Sequence, residues 1–376
     1  MNRTVDKSTH KRLLLICDYH SGLLDSFIRT LDCIGLVDRV LVRKRGNADW
    51  RNATTWVINL PLRVFGEEDS VSIASIMSLI AYLVITTIVG TIAVIKRRLD
   101  MILGVFAFPQ GLVAVFVGQL TRRKVAILTD GGDVDIMLRN PLIRPFMLAC
   151  LRRADAVSAL NGTKANRLLY FGVKTQLCPT IGVDTSRFEY VPFEEKEKGL
   201  ILFAGRLTNE KRAEVLLKAC KRLRRKGVRF KLLIVGDGPL RDQIADDAIH
   251  MDMADIVTFK GYIPHSEIHQ FFRRSAIFVL PSIREGVSIS LLEAMSSGCL
   301  CIVSDIPDNK EVIQHMYNGI VFHADDEEDL ANKLHWATSG TSELRLIPSN
   351  ARRAVERDYS LENVANTLSL LLLDHK

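Results

Sequence analysis

The chain predicts an α/β protein made of two doubly wound, Rossmann-like domains, and three observations predict it. Short apolar runs alternate with helical patterns along most of the length, the signature of a parallel sheet covered by helices on both faces. The 376 residues exceed the roughly 100–200 of a single domain. The alternation breaks once, at Val191–Lys198, where Pro192 and a run of charges interrupt the apolar pattern, and then begins again.

The first series opens with Leu13-Leu14-Leu15-Ile16-Cys17, a buried strand ending before the turn-like Asp18–Gly22. A helical pattern follows over Leu23–Ile34, and further strands are expected at Val40–Val42, Thr55–Ile58, Met101–Phe106, Val125–Leu128 and Ala156–Ala159. The second series is cleaner. Strands are expected at Leu200–Ala204, Phe230–Val235, Val257–Lys260, Ala276–Leu280 and Cys301–Ser304, with helices at Ala213–Arg225, Glu267–Arg274 and Val287–Ser296. This gives an N-terminal domain over 1–190, a C-terminal domain over 199–358 and a terminal helical stretch over 359–376. Two open α/β domains place a cleft between them, and a ligand is expected at the carboxyl ends of the C-domain strands. A GxGxxG dinucleotide fingerprint is absent.

Hydrophobic residues make up 48% and charged residues 25%, which suits a globular chain with substantial cores. The net charge of +7 and pI near 9.0 favour anionic partners without choosing among them. Basic clusters at Lys96–Arg98, Arg122–Lys124, Arg152–Arg153 and Lys221–Lys231 read as solvated helix faces. No aromatics interleave with them as a nucleic-acid surface requires, so no nucleic-acid partner is expected. Seven scattered cysteines, with only Cys299 and Cys301 close together, fit neither a zinc nor a redox spacing and point to a reduced, cytoplasmic setting. Met1–Lys11 lacks the apolar core of a signal peptide. Val71–Ile95 is uncharged and flanked by Lys96-Arg97-Arg98. Its length suits a membrane span, a helix on a membrane surface or a buried helix, and its serines and threonines leave all three readings open.

Three loops carry chemistry. Ser282–Ala294 runs from a strand through a loop into a helix whose first-turn N–H groups, near Val287 and Ser288, form an anion site suited to a phosphate. Glu285 precedes that turn and Glu293 lies inside the helix, where it can accept hydrogen bonds from a pair of hydroxyls such as those of a ribose. Alone, Glu285 would be a helix-start residue and Glu293 a solvated side chain. The apolar neighbours Leu291, Leu292, Ala294 and Met295 instead bury the helix, and a buried carboxylate needs a partner. In Gly205-Arg206-Leu207-Thr208-Asn209-Glu210-Lys211, two cations on one loop can reach one diphosphate and offset charge on a leaving nucleotide. Gly236-Asp237-Gly238-Pro239 lets backbone approach a ligand, and Phe259–Ile263, including Tyr262 and Ile263, could wall in a base. His265 and His269 stand four apart without a third metal ligand, so they read as a surface helix start.

Four blocks in order, GRLTNEK, VGDGPL, FKGYIP and LPSIREGVSISLLEAMSSGCLCIVSD, resemble the donor domain of retaining family 4 glycosyltransferases, which have the GT-B fold. Similarity continues through EVIQHMYNGIVF and upstream through RRADAVSALNGTKANRLLYFGV. The resemblance implies that Arg206 and Lys211 bind the diphosphate of a nucleotide-sugar donor, that Glu293 binds its ribose and that Glu285 lies near the sugar. It implies further donor contacts at Gly22, Gly205, Gly236, Gly286, Val287 and Ser288, no metal or other cofactor, and a C-terminal helix Leu361–Leu373 crossing back onto the first domain. Where the family often has His-Gly-Ser-Asp, this chain has Asp130-Gly131-Gly132-Asp133, which makes Asp130 the candidate replacement for the histidine. The expected function is retaining sugar transfer to a glycan or lipid-linked acceptor, peripheral on the inner face of a membrane with a possible anionic surface as partner. A sugar-nucleotide 2-epimerase and a non-catalytic nucleotide-sugar-binding subunit are the alternatives.

Overall fold

The computed structural model describes residues 12–17, 21–34, 38–44, 55–60, 73–129, 132–339 and 342–373. Two compact units result: Met1–Thr180 with Val364–Lys376, and Ile181–Asn363.

Unit 1 runs β1 (Arg12–Ile16), α1 (Ser21–Ile34), β2 (Asp38–Lys44), β3 (Thr55–Leu60), α2 (Ile73–Arg97), β4 (Met101–Val105), α3 (Gln110–Thr121), β5 (Lys124–Leu128), α4 (Gly132–Arg139), α5 (Arg144–Leu151), β6 (Ala156–Ala159), α6 (Gly162–Tyr170) and β7 (Gln176–Leu177). Its seven strands pair in the order β3-β2-β1-β4-β5-β6-β7, all parallel. The strands read as unbroken apolar runs because both faces are covered. Leu13, Leu14, Leu15 and Ile16 are all fully buried, and each such side chain contributes about 1.5–3 kcal/mol. Asp135 on α4 takes buried Lys164 at 2.6 Å and also Arg167, both from α6. That cluster fixes α4, whose first two residues, Gly132 and Asp133, belong to the Asp130–Asp133 segment.

The uncharged segment becomes α2, for which Val71 and Ser72 lie outside the described residues. By length and composition it could cross a membrane. The sheet rules this out. β1 precedes α2 and β4 follows it, yet Leu13 and Leu14 pair with Met101 and Ile102. A span would put hydrogen-bonded neighbours on opposite sides of a bilayer. Nor is α2 simply buried. Tyr82, Thr86, Gly90, Ala93 and Val94 face the protein, while Met77, Ile80, Val84, Ile85, Ile88, Ile92 and Ile95 are 39–68% exposed. At about 100° per residue, the exposed set covers an arc of roughly 140°.

Unit 2 runs β8 (Glu197–Ala204), α7 (Ala213–Arg225), β9 (Lys231–Val235), α8 (Arg241–His250), β10 (Val257–Gly261), α9 (His269–Arg274), β11 (Ser275–Leu280), α10 (Ile289–Ser296), β12 (Leu300–Ser304), α11 (Pro307–Val312), β13 (Ile320–Phe322), α12 (Glu327–Thr338), α13 (Leu346–Ala354) and α14 (Leu361–Leu373). The last helix begins here, and from Val364 its residues group with unit 1. The six strands order as β10-β9-β8-β11-β12-β13, again all parallel. The boundary read at residue 190 lies inside unit 2. Val183 exchanges backbone hydrogen bonds with Tyr359 and Leu361, and Phe188 is buried in the unit's core beside Phe272. The chain order reverses between β8 and β11, so the connections leaving these neighbours diverge to opposite faces. Such a switch point, at the carboxyl ends of β8 and β11, is where open α/β sheets bind ligands.

Candidate active site

The loop after β8 is laced to its neighbours through backbone. Gly205 N–H donates to Val235 at 3.0 Å, Leu207 to Asp237 at 2.9 Å, and Gly236 to Gly261 at 2.8 Å. The turns leaving β8, β9 and β10 thus form one platform. Its closeness demands glycine. Gly236 sits at φ +131°, and a Cβ there would lie 1.9 Å from the Gly205 carbonyl oxygen. At Gly238 (φ +158°) a Cβ would come within 2.4 Å of the Leu207 oxygen.

The same loop is tied across the switch point to the turn after β11. Ile283 N–H donates to the Glu210 carbonyl at 2.9 Å, and Arg284 Nη2 donates to the Glu210 carboxylate at 3.0 Å. Glu210 is held below the usual carboxylate range, first by its own backbone N–H and then by the Thr208 hydroxyl, with Arg284 adding to both. This frame brings Lys211 onto Glu285. Lys211 Nζ donates to both carboxylate oxygens, at 2.6 and 2.9 Å, with the Glu285 side chain 7% exposed and that of Lys211 22%. A cation beside a carboxylate at a switch point can hold an anionic group while the carboxylate faces what that group carries.

Helix α10 starts at Ile289, two residues later than the sequence pattern suggested. Ser288 is extended (φ −72°, ψ 112°) and makes no side-chain cap. Its hydroxyl lies 3.1 Å from that of Ser290. The uncapped first turn therefore begins beyond Val287 and Ser288, and these two positions belong to the loop that leads into it. Val287 packs against the core while Gly286 is half-buried.

Glu293, one turn into α10, is buried, and its partner is a residue the sequence assigned elsewhere. His265 Nε2 lies 2.6 Å from Glu293 Oε1. Burial pushes the Glu293 carboxyl above its ordinary range, and His265 and Arg187 partly offset this. His265 is in turn placed by Arg187, whose Nη2 donates to its carbonyl at 2.5 Å, and by the Phe188 ring at 5.9 Å. The expectation of a surface helix start at His265 is corrected. α9 begins only at His269, and the His265 ring turns inward because a buried carboxylate needs a hydrogen-bond partner. The signal available in the sequence was that need, which did not name the histidine.

The remaining predicted residues separate. Arg206 and Tyr262 are exposed, Gly205 and Ile263 half-buried, and all four lie on the turns after β8 and β10. Glu285 and Glu293 hold different partners. Gly22 falls in α1 of unit 1, and Asp130 lies outside the described residues. Among the described residues no three His, Cys, Asp or Glu side chains gather as a metal site would require.

Residues 185–354 match the family model described as glycosyl transferases group 1. WcaL of Escherichia coli K12, named as a colanic acid biosynthesis glycosyltransferase, is 28% identical over 305 residues, covering 77% of this chain and 74% of that one. Sucrose-phosphate synthase from Thermosynechococcus elongatus superposes with a TM-score of 0.76 at 18% identity, covering 96% of this chain and 98% of its own. HepE of Anabaena, in complex with UDP and glucose, superposes with a TM-score of 0.74 at 13% identity and the same coverage. The likeness to these two structures is one of fold, GT-B.

Proposed function

We infer that this chain, a group 1 glycosyltransferase of the GT-B fold, moves a sugar with retention of configuration from a nucleotide diphosphate sugar to a glycan or lipid-linked acceptor. The observation that carries the reading is the Lys211–Glu285 pair at the carboxyl ends of β8 and β11. In this reading Arg206 and Lys211 take the donor diphosphate, with the uncapped first turn of α10 adding backbone N–H groups. The glycine platform of Gly205 and Gly236 lets the donor lie close to backbone. Glu293, held by His265, accepts from the ribose hydroxyls, while Tyr262 and Ile263 border the base. Glu285 faces the sugar and stabilises positive charge as the bond to phosphate breaks.

As the C1–O bond to the diphosphate breaks, its electron pair leaves with the phosphate, whose charge Lys211 and Arg206 offset. The acceptor oxygen bonds to C1 on the same face, and its proton passes to the leaving phosphate. Asp130 is the candidate to orient the acceptor hydroxyl. No metal is required by this account. The WcaL likeness supports an acceptor in polysaccharide assembly, and the HepE complex supports a uridine diphosphate sugar as the first donor to try. The reading places the chain on the cytoplasmic side.

The test is calorimetric titration with a panel of nucleoside diphosphate sugars, followed by product analysis with and without acceptor. Binding of one donor, lost in Lys211→Ala, and a product that keeps the donor's configuration at C1 support the reading. Failure to bind any donor, or inversion at C1, overturns it.

A further inference from the structure

We propose that the outer face of α2, with the adjoining ends of α2 and α3, docks the protein on an anionic bilayer surface. The proposal concerns unit 1 and stands apart from the donor site of unit 2. The exposed stripe on α2 extends from Met77 to Ile95, about 27 Å at 1.5 Å per residue. On the helix packed beside it, Phe116 and Leu120 are also 46% and 67% exposed. Isolated exposed apolar residues are ordinary, but a continuous run of this length marks a surface that meets something apolar.

The charges around the stripe say what that is. α2 leads into β4 and α3 into β5, and these strands are parallel neighbours, so both helices end at the same edge of the sheet. Each end is basic and exposed: Lys96 and Arg98 after Ile95, Arg122 and Arg123 after Leu120. Neither helix contains an acidic residue. Two carboxylates at that edge are engaged with backbone, Asp100 with the Arg12 N–H at 3.0 Å and Asp155 with the Val125 N–H at 2.8 Å. Apolar side chains followed within one turn by cations that have no acidic partner among the described residues match a layer that is hydrocarbon beneath and phosphate above. A second copy meeting this face with its own α2 and α3 would bring the same cations and no acidic residue of those helices to offset them. The pairing of β1 with β4 keeps α2 on the protein, so it lies along the interface.

The test is co-sedimentation of the full chain with vesicles of phosphatidylcholine alone or with about 30% phosphatidylglycerol. Two variants are compared, Ile92→Glu/Ile95→Glu and Lys96→Gln/Arg98→Gln/Arg122→Gln/Arg123→Gln. All six side chains are exposed or at helix ends, and circular dichroism checks that each variant folds. The expected result is binding to the anionic vesicles that weakens with salt and falls about fivefold for each cation removed. The isoleucine variant should lose binding at all salt concentrations. Equal sedimentation of wild type and both variants overturns the proposal. So does a dimer that forms without vesicles and disappears in the isoleucine variant, which would make a second copy the occupant. Donor titration separates the two readings: vesicle binding without donor binding ends the transfer reading alone, and the reverse ends the docking alone.

Discussion

Replacing His265 by alanine tests whether Glu293 is held by that ring. Glu293 is 3% exposed and its Oε1 lies 2.6 Å from His265 Nε2. Loss of the ring removes a hydrogen bond from a buried carboxyl, and an unsatisfied buried group costs about 1–3 kcal/mol, more if charged. The His265 side chain is itself 20% exposed, so water can enter the space it leaves. That argues for the lower part of the range, about 1–2 kcal/mol. For a unit of this size, 1 kcal/mol moves the midpoint by about 2–4 °C, so the expected fall is about 2–8 °C. Differential scanning calorimetry on His265→Ala, Glu293→Leu and the double variant reads the pair directly. The double variant should be less damaged than the sum of the singles by about 1 kcal/mol or more. A coupling under about 0.5 kcal/mol, within the scatter of independent sites, would refute the claim that His265 supports Glu293.

Glu285→Gln keeps the size of the side chain but removes its charge; turnover should fall by about a hundredfold or more while donor affinity, read by calorimetry, changes far less. Gly236→Ala places a Cβ 1.9 Å from the Gly205 oxygen, so the β8 and β9 turns must part; donor titration should show binding lost, with the sheet still folded by circular dichroism. Burial raises the Glu293 pKa, so the folded chain holds that proton more tightly than the unfolded one. Its contribution to stability is therefore full below the ordinary value of 4.5 and is lost as pH rises through the raised folded value. Midpoints of wild type and Glu293→Gln, followed from about pH 4 to about pH 8, should shift in favour of the variant as pH rises; a constant gap would contradict this.

Much of the fold was legible because it is written locally. Short unbroken apolar runs bounded by turn residues, such as Leu13–Ile16 and Ile277–Leu280, read as strands covered on both faces, and helices between them favour parallel strands. Gly236 and Gly238 announced a close approach of backbone to a ligand, and the cations and carboxylates of the two loops announced chemistry with anions. The helix pattern starts two residues before α10 does because Val287 continues the four-residue apolar spacing of Leu291 and Met295, whereas the loop from β11 holds Ser288 extended.

Sequence pattern alone determined the periodicities and the turn chemistry, since each depends on residues a few places apart. The tertiary structure decided the rest: that Lys211 closes on Glu285, 74 positions away, and His265 on Glu293, 28 away. It also decided that α2 cannot cross a membrane. Strand order, not composition, settles that question, because β1 and β4 exchange hydrogen bonds on either side of the helix and no local pattern encodes which strands become neighbours.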